Sequence, residues 1–212
     1  MELFITNGDF FNEYFEKSFG KKGIVFREAM MSGPLKGNLF SSHFINARAS
    51  FHIVSKEKYL DNLKDFLNVK DKKDVTRINL FFGEDTFCMV NLITVLAYLE
   101  IIDYHGLVYL NIVCDYSNKI LKKDIKIELG IYRDIYDKVL IKKEKPNNLG
   151  VISEHAIDLY FDYLSNNSAL IKLIKDNIND DEISLITKLL NASKEYGISD
   201  VMAKDLIKKV RS

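Results

Sequence analysis

Tryptophan is absent from this chain of 212 residues, and cysteine and proline occur only twice each. The two cysteines, Cys88 and Cys114, form no C-x-x-C pair. The four histidines (His43, His52, His105 and His155) lack ligand spacing. A structural zinc site and a disulfide framework are therefore not expected, and both thiols read as small, reduced, buried hydrophobes. Charge of either sign in excess is also missing. Lys+Arg and Asp+Glu stand at 30 each, so no global field gathers nucleic acid or an anionic membrane. The longest apolar run, CMVNLITVLAYLEII, is broken by Asn91 and Glu100 and falls short of the roughly 20 residues a membrane span needs. No basic segment precedes the apolar residues of MELFITNGDF, so a signal peptide is not expected either. These absences together predict a cytoplasmic protein with no membrane association.

Nucleotide and hydrolase signatures are missing too. G-x-x-x-x-G-K-S/T does not occur, and SFGKKG (18–23) ends a helical pattern instead of opening one. G-x-G-x-x-G is absent, which argues against ordinary dinucleotide binding, and so is the nucleophile elbow G-x-S-x-G.

The chain does carry a hydrophobic content of 47% with 28% charged residues, which is ordinary for a folded globular protein and excludes wholesale disorder. Short β-branched or apolar runs fall at 3–6, 23–26, 77–82 and 107–114. Helical periodicity separates them. Aromatic residues at 10, 11, 14, 15 and 19 share one helical face, with Asp9 placed to cap it. Residues 39–67 read as mainly helical, KDKKD (70–74) as a solvated connection. A third helix follows from Asp85, also a capping residue, with an apolar face through 87, 90, 92, 95, 96 and 99. This alternation predicts an α/β domain over 1–118: a mostly parallel sheet with flanking helices in Rossmann-like layering. Residues 119–212 read as a mainly helical region, with Ser153, Asp180, Asp181 and Ser199 as caps and Gly197 as a stop. Within it, 120–146 is ambiguous between a helix with a strand and a pair of helices.

In an open parallel sheet, ligands bind beyond the carboxyl ends of the strands. The predicted strands run into Asn7-Gly8-Asp9, Arg27-Glu28, Gly83-Glu84-Asp85 and Cys114-Asp115-Tyr116. If neighbouring, they bring Asp9, Glu28, Glu84 and Asp85 to one rim. Convergent carboxylates have three uses: holding Mg²⁺ through hard oxygen ligands, sharing a proton as acid and base, or binding ligand hydroxyls. Arg27 and Arg48 would hold an anionic part of the ligand. Asn7 and Asn91 would add hydrogen bonds, and Gly8 and Gly33 close backbone approach. The plain alternative is that Asp9 and Asp85 are helix caps, worth about 0.5–2 kcal/mol each with no function.

ITNGD (5–9), FREAMMSGPL (26–35) and NLFFGEDTFCMVNLITVLAYL (79–99) together resemble the bacterial family known as domain of unknown function 1835. The matching positions are Gly8 and Asp9; Phe26, Arg27, Glu28, Gly33 and Pro34; Glu84 and Asp85; Asn91; and Arg48 as a helical arginine. Phenylalanine (Phe26, and Phe81 or Phe82) stands where that family often has tryptophan. The resemblance covers the first 115 residues or so and implies a candidate site without a reaction.

The leading expectation is thus a small-molecule or nucleotide-type ligand site at the strand ends, serving a metal-assisted hydrolase or transferase. A regulatory or protein-interaction module, acting through the aromatic helix 10–19 or the C-terminal helices, is the alternative. LLNASKEYGISDVMAKDLIKKV (189–210) has a helix-turn-helix layout, but its second helix carries few residues able to read bases, so nucleic acid is not the expected partner.

Overall fold

The structure, a computed structural model, describes residues 1–72, 74–114 and 117–211. Strand and helix alternate as predicted: β1 (Glu2–Asn7), α1 (Asp9–Phe19), β2 (Ile24–Phe26), α2 (Ser42–Phe51), α3 (Lys56–Leu67), β3 (Arg77–Phe82), α4 (Thr86–Ile101) and β4 (Leu107–Val113). Then come β5 (Ile120–Ile127), α5 (Tyr132–Tyr136), a π-helical segment (Asp137–Lys142), α6 (Glu154–Leu164), α7 (Ala169–Asp176), α8 (Glu182–Ala192) and α9 (Asp200–Arg211). The expected solvated connection at 70–74 begins inside a 3-10 turn, Asn68–Asp71, and its Lys73 lies outside the described residues.

The sheet order is β2-β1-β3-β4-β5, with the first four strands parallel and β5 antiparallel to β4. The boundary expected at 118/119 therefore falls inside the β4–β5 hairpin, and one sheet runs across it. β5 escaped the apolar-run criterion because ILKKDIKI is an edge strand, and its exposed lysines blunt a free row of backbone groups.

The two faces of the sheet are covered unequally. On one, Phe11 and Phe15 of α1 pack over Phe4, Phe81 and Val113, with the Phe15 and Phe81 rings 4.9 Å apart. Phe10 and Phe19 stay exposed, so the aromatic face of α1 is narrower than its sequence implied. On the other, Ile5, Leu80, Phe82 and Leu110 form the floor of the main core beneath α4. Nearly every residue of α4 from Thr86 to Leu99 is buried, which corrects the one-faced helix expected from 87, 90, 92, 95, 96 and 99. The physical reason is that α5 and α6 pack on its outer side. A helix buried all round is apolar all round. At its far end, the Glu100 carboxylate accepts hydrogen bonds from the amides of Gly130, Tyr132 and Arg133 at 2.6–2.8 Å, tying α5 to α4. No helix of the described residues is long and apolar enough to cross a membrane.

Candidate functional site

The chain leaves β1 for β2 on one side and returns across it to β3 on the other, so the direction of winding reverses between β1 and β3. Open sheets of this kind build sites above that point. Asn7 and Gly8 end β1 there, and Asp85 opens α4 beside them. Asn91, fully buried, laces the loops together. Its Nδ2 donates to Asn7 Oδ1 (2.9 Å) and to the Glu28 carbonyl (2.7 Å), and its Oδ1 accepts from the Met30 amide (3.0 Å). Asn7 Nδ2 in turn lies 3.0 Å from Cys88 Sγ. Every hydrogen-bonding atom of the Asn91 amide group is thus used within the protein, in positioning the loop after β2.

Glu28 turns inward from that loop and is buried against Arg48 of α2. Arg48 Nε donates to Glu28 Oε1 (3.1 Å) and Nη2 to Oε2, while its remaining donors reach the Ala29 and Ser32 carbonyls. The Tyr59 hydroxyl of α3 donates to Glu28 Oε1 at 2.6 Å. His52 Nε2 sits 3.2 Å from Arg48 Nη2 and 3.4 Å from Glu28 Oε1. Burial alone would raise the Glu28 carboxyl. The His52 ring, the Arg48 guanidinium and the Tyr59 hydroxyl outweigh it and hold the group at about 2. Burial and the Glu28 charge push the Tyr59 phenol well above its usual range. Gly33 lets the chain pass directly over this pair: a Cβ there would stand 2.7 Å from Arg48 Nη1 and 2.6 Å from the Phe51 ring, at a φ of +82°.

Asp9 does not cap α1. Gly8 occupies the cap position, and the Asp9 carboxylate pairs with Arg27 at 2.7 Å on the surface. Arg27 Nη1 also reaches the Asn62 carbonyl at 3.4 Å. Asp85 does cap α4, its Oδ1 accepting from the Cys88 amide at 3.0 Å. Glu84 pairs with Lys122 of β5 at 2.7 Å.

The convergence of the four carboxylates on one rim is therefore corrected. Asp9 is held by Arg27, Glu28 is enclosed with Arg48, and only Glu84 and Asp85 share a cavity. No group of three or more His, Cys, Asp or Glu among the described residues is placed to hold a metal ion. Asp115 and Tyr116, expected at the end of β4, lie outside the described residues.

The cavity that Glu84 and Asp85 line has a volume of about 890 Å³ and opens at the carboxyl ends of β3 and β4. Met89, Leu110, Ile112 and Ile125 give it an apolar floor, and Val151, Ala156 and Ile198 an apolar far wall. Polar and charged groups rim it: the Glu84–Lys122 pair, and His155 with Glu195 at 3.5 Å. Lys122, His155 and Glu195 were missed by sequence reasoning. His155 and Glu195 come from the helical region, and no local motif marks any of the three. No family model, curated protein or solved structure matches the chain.

Proposed function

We propose that this is a cytosolic protein that binds a small organic molecule in the cavity at the ends of β3 and β4. The observation that carries the reading is the cavity itself. At about 890 Å³ it lies within the range of small-molecule sites, and it combines an apolar floor with a few charged groups at its mouth. That pairing suits a ligand with an apolar body and a polar or charged end. Glu84, Lys122, His155 and Glu195 would contact the polar end, and Met89, Leu110, Ile112 and Ile125 the body. The Glu28–Arg48 cluster fixes the loop after β2 and stands outside the cavity lining. It does not touch the ligand. The likeness to domain of unknown function 1835 belongs to the same proposal: Gly8-Asp9, Arg27-Glu28 and Glu84-Asp85, which carry it, follow β1, β2 and β3.

A thermal-shift screen tests this, run on the parent and on Ile125→Trp, which fills the floor. The panel holds nucleotides, sugar phosphates, and aromatic and aliphatic carboxylates. A compound that raises the melting temperature of the parent and not of the variant supports the site. Equal stabilisation of both proteins places binding elsewhere, and a panel that moves neither overturns the reading.

A further inference from the structure

Residues 193–198, within the connection between α8 and α9, touch both the cavity and the start of α4. Lys194, Glu195, Gly197 and Ile198 form one wall of the cavity. At the same time the Glu195 carbonyl accepts from the Thr86 amide (2.9 Å) and the Tyr196 carbonyl from the Phe87 amide (3.1 Å). Those are the leading amides of α4. In open α/β sheets, such amides are where the anionic part of a ligand is held. Here the chain's own carbonyls fill that place.

The segment is held down by identifiable contacts. The Tyr196 hydroxyl donates to Asp162 Oδ2 at 2.7 Å. Gly197, at a φ of +67°, seats so closely that a Cβ would stand 2.0 Å from Asp85 Oδ1. Closure also has a cost. Asp85 Oδ2 and Thr86 Oγ1 are both buried there without a hydrogen-bond partner among the described residues. Unpartnered buried groups work against the state that buries them, and water would satisfy both on opening.

We propose that residues 193–198 are a displaceable strap: a self-supplied occupant of the α4 N-terminus that walls one side of the open cavity and lifts to admit the anionic end of a ligand to those amides. The inference rests on the cavity reading above. α8 and α9 pack chiefly on α7 and on each other, so the strap swings with a helical unit and leaves the sheet in place.

Two measurements on the full chain test it. Hydrogen exchange, with no ligand present, follows the Thr86 and Phe87 amides against that of Val95 in the middle of α4. Stopped-flow fluorescence follows association of 1-anilinonaphthalene-8-sulfonate, an apolar body with one anionic group. Tyr196→Phe removes the bond to Asp162, and roughly tenfold faster exchange at Thr86 and Phe87 is expected, with Val95 unchanged. Dye association should accelerate by a similar factor. Ile125→Trp should abolish the dye signal. Faster exchange with an unchanged association rate overturns the gate and leaves the cavity reading standing. Unchanged exchange in both Tyr196→Phe and Gly197→Ala overturns the strap as a mobile unit. A dye signal that is absent in the parent, or equal in the parent and Ile125→Trp, removes the cavity reading and the gate together.

Discussion

Arg48 and Glu28 face each other through paired hydrogen bonds with neither side chain exposed to solvent. A buried ion pair of this kind owes little net stability to its charges, yet removing one partner strands the other. Arg48→Met is expected to cost about 3–5 kcal/mol in urea unfolding. Adding Glu28→Leu should recover part of that loss. Recovery stays incomplete because the Ser32 and Ala29 carbonyls and the Tyr59 hydroxyl also lose their partner. If the double variant is less stable than Arg48→Met alone, the stranded-charge account is wrong.

The same carboxylate makes stability depend on pH in a defined window. Its folded value of about 2 lies below the ordinary 4.5, so the native state favours the charged form. The contribution is complete above about pH 4.5 and is lost as pH falls from there toward 2. It is on the order of 3 kcal/mol in full. Unfolding free energies measured at pH 7, 5, 4 and 3 should fall across the acidic points. Glu28→Gln, less stable at pH 7, should show a shallower fall. Parallel pH curves for the two proteins would mean that other carboxylates account for the acid sensitivity.

Much of the first half of the fold was legible because each signal there is local. RINLFF is a continuous apolar strand, and Asp85 stands directly before the helix it caps. β5 was legible only as one of two readings of 120–146, since on an edge the solvent writes Lys122, Lys123 and Asp124 into the strand. The candidate site divides in the same way. Strand ends locate Glu84 and Asp85, but the partners that decide what each acid does are distant in sequence. Arg48 and Tyr59 reach Glu28 only because α2 and α3 fold back over the loop after β2. Glu195 and His155 reach the cavity only because the helical region docks on α4. Two acids that look alike in sequence, Asp9 and Glu28, end as a surface ion pair and a buried one.

Asn91 is expected to matter through its shape as much as its polarity. Asn91→Leu keeps the volume but leaves the Met30 amide, Asn7 Oδ1 and the Glu28 carbonyl without their partner. The loss should reach at least about 3 kcal/mol, since each unpaired buried group costs about 1–3. Asn91→Asp retains the acceptor for Met30 and turns a negative oxygen toward two other acceptors. It should be no better than leucine at pH 7. A cost under about 1 kcal/mol for either variant would show that the loop after β2 is held by something else.

Arg27 provides the contrast with Arg48. Both were expected to hold an anionic part of a ligand, and both pair with a carboxylate. The Arg27–Asp9 pair, however, keeps 41% and 60% of its side-chain surfaces in water. Solvent screens it, so Arg27→Ala should change stability by no more than about 1 kcal/mol, and raised salt should shrink even that. Arg27 also stands outside the cavity lining, so the variant should leave thermal shifts by any cavity ligand intact. Should Arg27→Ala instead abolish a ligand-induced shift that Ile125→Trp preserves, the binding site lies above β1 and β2. Gly8, Asp9 and Arg27 would then be its centre in place of the cavity beside β4.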